Sequence, residues 1–582
     1  MDYKEIVKTY EALEETTKRL ELTSILVDLF ENVKCDEIKR VVYLTQGKLG
    51  PDYLGLEVGI GEKLIIKAIG ESMGIADKKV QEEYRKLGDL GSVAEALTEK
   101  RAQRTLFSQP LTLKRVFENL FRMAKKSGSG AQRERLNLLE DLLNDCSRSE
   151  AKYLIRTVIG KARLGIADMT ILDALAIAFA DGDRARVERA YNLCSDLGEI
   201  AEMLCKNGKK GIVDIKIEVG IPIRSMLAER LSSPEEILEK MGGRCAAEYK
   251  YDGLRIQAHI EDNHVKLFSR RLEDITSQFP DVKEGLLKSF KGKEGVVEGE
   301  CVVVNLNTGE MRPFQQISHR RGRKYELTEA IEEYPVTLFL FDCLYDGEDL
   351  TGISYQERRE KLGGIIEECD KIKISTVKVV DDVEELEKFF EDAIEAGCEG
   401  LIAKSLESSY KAGARGWQWI KYKREYRAEL VDTVDLAIVG AFAGRGRRKG
   451  WYGALLMACY NDETDVFESV CKLGTGFTDE VLKEIPKKLG DFKRDAKDPR
   501  VESEMEPDYW FSPSVVLEVL GGEITLSPIH RAGYGVLKKD SGLAIRFPRF
   551  TGRWREDKKP EDATTSKELI EMYSAQLKRI EE

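Results

Sequence analysis

The sequence predicts a multidomain α+β protein in three parts: an all-helical domain over residues 1–218, a mixed α/β domain over 219–427, and a small β-barrel over 428–582 that ends in a helix. Three observations carry this. Apolar residues recur at three- and four-residue spacing through the first part, short alternating runs fill the second, and strand-like runs parted by Gly-rich turns fill the third. A chain of 582 residues also exceeds one hydrophobic core, because a domain holds roughly 150 residues.

The helical period is clearest in "LNLLEDLLNDC" (136–146) and "RAYNLCSDLGEIAEML" (189–204). From "EVGIPIRSMLAE" onward the pattern changes to "RCAAEYKYDGLRIQAHI", "HVKLFSR", "GVVEGECVVVN" and "VTLFLFDCLY", with helices such as "YQERREKLGGIIEEC" between them. Past residue 428, "ELVDTVDLAIVGAF", "GALLMACYN" and "SVVLEVLGGEITLS" read as barrel strands. In the last segment Thr565 and Glu568 have the spacing of a capping box, and Leu569, Tyr573, Leu577 and Ile580 fall on one helical face.

Composition excludes several classes. No apolar run approaches the roughly 20 residues a membrane span needs, and the charged N-terminus lacks a signal peptide's apolar core, so a cytoplasmic protein is expected. The eleven cysteines form no C-x-x-C pair, which leaves no support for a disulfide framework or a zinc ribbon and suggests buried thiols. The four histidines, His259, His264, His319 and His530, have no metal or triad spacing, and no G-x-x-x-x-G-K-[ST] loop occurs. Net charge is −12, yet "HRRGRK" (319–324), "KYKREYR" (421–427), "GRGRRKG" (444–450) and "RFPRFTGRWREDKK" (546–559) are local cationic runs beside aromatics. The local field rather than the total steers a polyanion, so a nucleic-acid partner is expected.

"AAEYKYDGLRIQAHI" (246–260) sets Lys250 two residues before Asp252 and Gly253, inside a strand pattern. A lone K-x-D-G is most often a strand running into a turn. A half-buried lysine that sheds its proton is, alternatively, a nucleophile for carbonyl or phosphoryl chemistry. The rest of the chain favours phosphoryl chemistry. "EYKYDGLR" resembles the first motif of the covalent nucleotidyltransferases, the superfamily of ATP-dependent DNA ligases, RNA ligases and capping enzymes. "FSRRLEDIT", "VVEGE", "FDCLYDGEDL", "EGLIAK" and "WIKYK" resemble the further motifs in order. With "MRPFQQISHRRGRK" and "GLAIRFPRFTGRWREDKKPEDATT", the likeness to ATP-dependent DNA ligases of the archaeal and eukaryotic replicative type extends over essentially the whole chain. One position departs from that pattern: Glu298 stands where the family usually has aspartate.

The resemblance implies roles. Lys250 attacks the α-phosphorus of ATP and carries AMP as a phosphoramide, and Lys421 and Lys423, two apart on one strand face, meet the phosphates. Glu300, at the nucleotide, and Glu399 hold Mg²⁺, although exposed strand glutamates are the plain alternative. Phe341 stacks on the adenine and Glu248 approaches its edge; a core phenylalanine is the alternative for Phe341. Arg255, Arg270 and Arg415 match the family's arginines for ribose and phosphates. The barrel is similar to an OB-fold, and its Arg546, Arg549, Arg555, Asp557 and Lys558 form the motif that turns onto pyrophosphate during self-adenylation.

In the helical domain, Arg156, Lys161 and Arg163 beside Gly160 and Gly165 are expected to grip duplex DNA by its phosphates, unless they form an ordinary helix pair with a glycine turn. Gln103, Leu106 and Phe107, followed by Pro110, make a short clamp-binding box, or else an amphipathic helix end that packs inward. The overall expectation is a monomeric ligase, archaeal in type, that seals nicks in duplex DNA with ATP and Mg²⁺ and is recruited to a sliding clamp. An RNA ligase or capping enzyme, and a DNA-binding protein with a decayed core, are the competing readings.

Overall fold

The computed structural model describes all residues except 100–108, 129, 305–310, 313, 318–319, 321–326, 424–432, 445–449, 522, 547 and 582. The chain divides into two compact units, Met1–Tyr422 and Lys423–Glu582.

The first unit begins with helices, from Tyr3–Glu14 to Leu197–Asn207. Their packing follows the sequence period. In Arg148–Val158, Ala151, Leu154, Ile155 and Val158 are buried on one stripe, and Ser147 and Glu150 close a capping box at its start. One continuous apolar core runs through the whole helical part. Helices Ile38–Gln46 and Leu197–Asn207 approach closely because Gly198 has no side chain; a Cβ there would lie 2.5 Å from the Tyr43 ring. Tyr43 donates its hydroxyl to Asp196 (2.8 Å) across the same contact.

That contact corrects the reading of the cysteines as thiols. Cys35 and Cys205 are disulfide-bonded with Cα atoms 5.4 Å apart, while the other nine are free and mostly buried. A sequence separation of 170 residues gives no spacing pattern to detect. Among the described residues no helix is long and apolar enough to cross a membrane.

Two five-stranded sheets follow. Strands β1 (Leu227–Arg230), β2 (Cys245–Lys250), β3 (Leu254–Glu261), β4 (His264–Ser269), β5 (Glu294–Val303), β6 (Val336–Tyr345), β7 (Ile372–Ile374), β8 (Val377–Val380), β9 (Gly400–Lys404) and β10 (Arg415–Lys423) are shared between them. One sheet has the order β1-β10-β9-β2-β8, the other β4-β3-β5-β6-β7. The chain passes from the first to the second at Tyr251–Gly253, directly after Lys250. Glycine is required at that crossing: a Cβ on Gly253 would lie 2.3 Å from the Cys301 carbonyl oxygen. The segment joining the helices to these sheets is pinned on both sides. Ser195 donates to the Pro222 carbonyl (2.7 Å), and Arg224 donates to the Tyr191 hydroxyl (2.6 Å) while stacking on its ring. The Gly413 amide donates to the Arg224 carbonyl (2.8 Å).

The second unit is strand-rich. Thr433–Ala443 pairs antiparallel with Tyr452–Asn461, Tyr509–Phe511 and Val516–Leu520, and Val516–Leu520 continues to Arg549–Trp554. Leu436, Ile438, Met457, Val470, Leu517 and Phe550 fill its core. The final helix, Ser566–Glu581, starts as its sequence suggests. The Thr565 hydroxyl accepts from the Glu568 amide (3.2 Å), the Glu568 carboxylate accepts from the Thr565 amide (2.7 Å), and Leu569 is buried in the core.

Candidate active site

Lys250 ends β2 and Glu399 immediately precedes β9, its antiparallel neighbour; the Glu399 amide donates to the Lys250 carbonyl (2.9 Å). This pairing brings the two side chains together, with Lys250 Nζ 2.5 Å from Glu399 Oε2 and both about one-fifth exposed (21% and 24%). Glu300 comes from the other sheet, where β5 sets it opposite Arg255 on β3. Burial pushes the Glu300 carboxyl up to about 7, against the pull of Lys250 and Arg255. Where the two sheets meet, therefore, one lysine, one arginine and two carboxylates converge.

Arg255 is held on several sides. It donates to the Glu298 carboxylate (2.7 Å) and the Met226 carbonyl (2.9 Å), and it lies over the Phe341 and Trp419 rings at 5.3 and 5.5 Å. Glu298, the position that departs from the family pattern, is fully buried. It also accepts from Tyr410 Oη (2.8 Å), Ser225 Oγ (3.1 Å) and Gln257 Nε2 (3.2 Å). Four donors explain why its carboxyl lies below the usual range despite burial: burial raises it, and Arg255 foremost draws it down.

Glu248, two residues before the lysine, is buried and accepts from Arg359 Nη1 (3.2 Å) and Ser375 Oγ, with Lys404 Nζ on its other oxygen. Phe341 packs edge-on to Trp419, with centroids 6.1 Å apart. Asp342 beside it is sealed in a buried ion pair with Arg358 (2.7 and 3.1 Å). Lys421 and Lys423 lie half-buried on β10, and Arg415, at the start of that strand, is exposed. Arg270 is exposed at the end of β4 and lines a cavity of about 1250 Å³. The glycine-rich loop 47–61, residues 157–160 at a helix end, Asp168, Arg224, Ser225, Leu227, residues 271–274 and Gly413 line it too.

In the helical part the three expected DNA contacts separate. Arg156 is buried between Glu14 and Asp89 (2.9 Å), so its charge is neutralised internally and it braces helices; this corrects its reading as a phosphate contact. Lys161 is exposed, as is Arg163, which also reaches Asp89 (3.2 Å). Arg320 of the cationic run 319–324 is likewise internal, paired with Asp281 (2.5 Å) under the Phe279 ring. In the second unit Arg555 is clamped between Asp557 (2.8 and 2.9 Å) and Asp435 (2.6 Å), and Lys558 shares Asp435 (2.8 Å). Arg546 and Arg549 are exposed, one at the end of Gly542–Arg546 and the other at the start of Arg549–Trp554, strands of different sheets. Gln103, Leu106 and Phe107 lie outside the described residues. His259 is buried and His530 half-buried, and desolvation pushes them down to about 3 and about 4.

The donor set fits a nucleotide. Among the described residues, Arg255 Nε and Trp419 Nε1 are buried without a hydrogen-bond partner beside Phe341. Two carboxylates at Lys250, with no third acid grouped with them among the described residues, fit a hard divalent ion that keeps much of its water.

Comparison with known proteins decides the family. The family described as ATP dependent DNA ligase domain matches residues 225–423, DNA ligase N terminus matches 2–176, and ATP dependent DNA ligase C terminal region matches 448–558. DNA ligase 2 of Thermofilum pendens is 53% identical over 99% of this chain and 98% of its own length. The chain belongs to the ATP-dependent DNA ligases. The DNA ligase of Thermoplasma volcanium is 48% identical over the full length of both chains. A solved structure named Pmar-Lig_Pre., 18% identical, covers 95% of this chain and 99% of its own at a TM-score of 0.57, which is a likeness of fold. The enzyme is thus a ligase that seals DNA nicks through an adenylate intermediate.

The sequence reading of this ligase did not find Lys404, Arg359, Tyr410, Asp435 or the loop 47–61. The loop carried a visible signal, five glycines in fifteen residues, and Lys404 closes the run "EGLIAK". The others are set by tertiary pairing.

Proposed function

We propose that Lys250 is the residue that carries AMP, and that Glu300 and Glu399 would hold Mg²⁺, which would supply neutralising charge to the triphosphate. The supporting observation is the convergence of Lys250, Glu399, Glu300 and Arg255 where the two sheets meet. Nζ, once deprotonated, attacks the α-phosphorus; a nitrogen–phosphorus bond forms, the bond to pyrophosphate breaks, and pyrophosphate leaves. Glu399 orients Nζ, and Lys421, Lys423 and Arg270 meet phosphate charge. AMP then passes to the 5′-phosphate of the nick, and the 3′-hydroxyl displaces it. Phe341 and Glu248 meet the base, and Arg546, Arg549 and Lys558 meet pyrophosphate, with Arg555 and Asp557 bracing that loop. In the helical part, the exposed Lys161 and Arg163 supply phosphate contacts.

Lys250→Ala should abolish labelling by α-labelled ATP while sealing of a nick that already bears 5′-AMP partly survives. Equal loss of both activities in a folded variant would remove Lys250 from this role. We further place the enzyme in an archaeal cytoplasm as a monomer that docks on a ring-shaped replication clamp through Gln103, Leu106 and Phe107. Phe107→Ala should weaken clamp-stimulated sealing and spare clamp-free sealing; a large drop in thermal stability would assign Phe107 to the core instead.

A further inference from the structure

Lys404 is a buried cation that the reaction above does not use. It ends β9 with its side chain 1% exposed, and its ammonium sits inside three aromatic rings, 4.4 Å from the Trp419 centroid, 4.6 Å from Phe341 and 4.7 Å from Tyr355. Rings attract an ammonium but take no directed hydrogen bond of a carboxylate's strength. Among the described residues its ion-pair partner is Glu248, through the oxygen opposite the one that Arg359 and Ser375 occupy.

Arg359 is a divided partner. Its Nη1 also reaches Ser375 Oγ (2.7 Å) and the Leu340 carbonyl (3.3 Å), and its Nη2 reaches the Ser375 carbonyl. Lys404 is therefore the undivided counter-charge of Glu248. A carboxylate offers about four lone-pair directions; Arg359 and Ser375 take those of one oxygen, and the Lys404 ammonium lies against the other as an ion pair, which leaves that oxygen able to accept from a ligand.

We propose that Lys404 is a specificity-determining positioning residue that fixes the Glu248 carboxylate as an acceptor at the base, so that the site takes a purine with a 6-amino donor and rejects one with a 6-oxo acceptor. The inference rests on the reading of Glu248 as the group that meets the base. A fixed anion accepts from the 6-amino group of adenine and faces the 6-oxygen of hypoxanthine or guanine lone pair to lone pair, a repulsive contact that discriminates against the wrong base. Without Lys404 that carboxylate oxygen loses its counter-charge and its fixed place, so the preference for a donor over an acceptor at the 6-position weakens.

The test compares ATP with ITP, which differs from ATP at the 6-position and the adjoining ring nitrogen and lacks the 2-amino group of GTP. Lysyl-nucleotide formation is followed with α-labelled substrates. Lys404→Met, which keeps length and packing and removes charge, should lower the ATP-to-ITP ratio of kcat/KM at least tenfold, mostly through a higher KM for ATP. Lys404→Arg should recover most of the ratio. An unchanged ratio in Lys404→Met, with both substrates slowed equally, overturns the proposal.

Glu248→Gln separates the two layers. If it leaves the ratio unchanged, Glu248 does not meet the base and the underlying reading fails. If it shifts the ratio while Lys404→Met does not, only the role of Lys404 fails. Should Lys404→Met not fold, the double variant Glu248→Gln, Lys404→Met removes both charges together. Its ratio should equal that of Glu248→Gln alone, and any further shift counts against the coupling.

Discussion

Breaking the Cys35–Cys205 bond, by reduction or by Cys35→Ser with Cys205→Ser, should destabilise the helical part far more than any surface change. Its separation of 170 residues closes a loop that spans nearly all of the helices. The loop-closure relation gives roughly 5 kcal/mol of lost unfolded-state restraint at 25 °C. In a cooperative helical region of roughly 200 residues, that lowers Tm by roughly 10–20 °C. Calorimetry with and without a thiol-free reductant, read beside circular dichroism at 222 nm, measures the shift. Mass analysis after alkylation without reduction identifies which cysteines were bonded. Equal melting of the oxidised and reduced proteins, or full alkylation of Cys35 and Cys205 in the unreduced chain, would refute the reasoning.

Arg156→Ala should cost the helical part roughly 2–3 kcal/mol, since it leaves Asp89 and Glu14 short of a counter-charge with Arg163 and Lys152 still near. The salt dependence of DNA binding should not change, and a slope reduced by about one phosphate would return Arg156 to the contact surface. Asp435→Asn loosens Arg555 and Lys558 together, and the loss of a charge-assisted bond of roughly 1.5 kcal/mol should slow self-adenylation about tenfold while sparing the last sealing step. Slowing of both steps alike would assign Asp435 to folding alone. The Glu300 carboxyl, raised to about 7, is protonated in the metal-free protein below that pH. A divalent ion must displace that proton, so apparent Mg²⁺ affinity should rise from pH 6 to 8; Glu300→Gln should flatten the rise, and a persisting rise would place the proton elsewhere.

What the sequence made legible was local or collinear. The capping box at Thr565 and Glu568, the helical stripes and the ordered motifs around Lys250 each lie within a few residues, where period and turn chemistry leave a pattern. Partners fixed across sheets or helices left none. Arg156 reads as a basic residue by a glycine turn, and only the approach of Asp89, from 67 residues earlier in the chain, turns it inward. Arg320 was hidden inside a cationic run for the same reason. Cys35 and Cys205 are invisible to spacing, and the role of Glu298 depends on Tyr410 and Ser225, which no motif around it contains.

The bond from Arg255 to the Met226 carbonyl joins a side chain of the proposed nucleotide site to the backbone that leads out of the helices. Free energy at the two ends is then reciprocal. A ligand that draws Arg255 toward itself changes how firmly Met226 is held, and a change that loosens Ser225 or Met226 registers as a weaker hold on that ligand. Whatever free energy ligand binding shares with the joint between helices and sheets is the same read from either end.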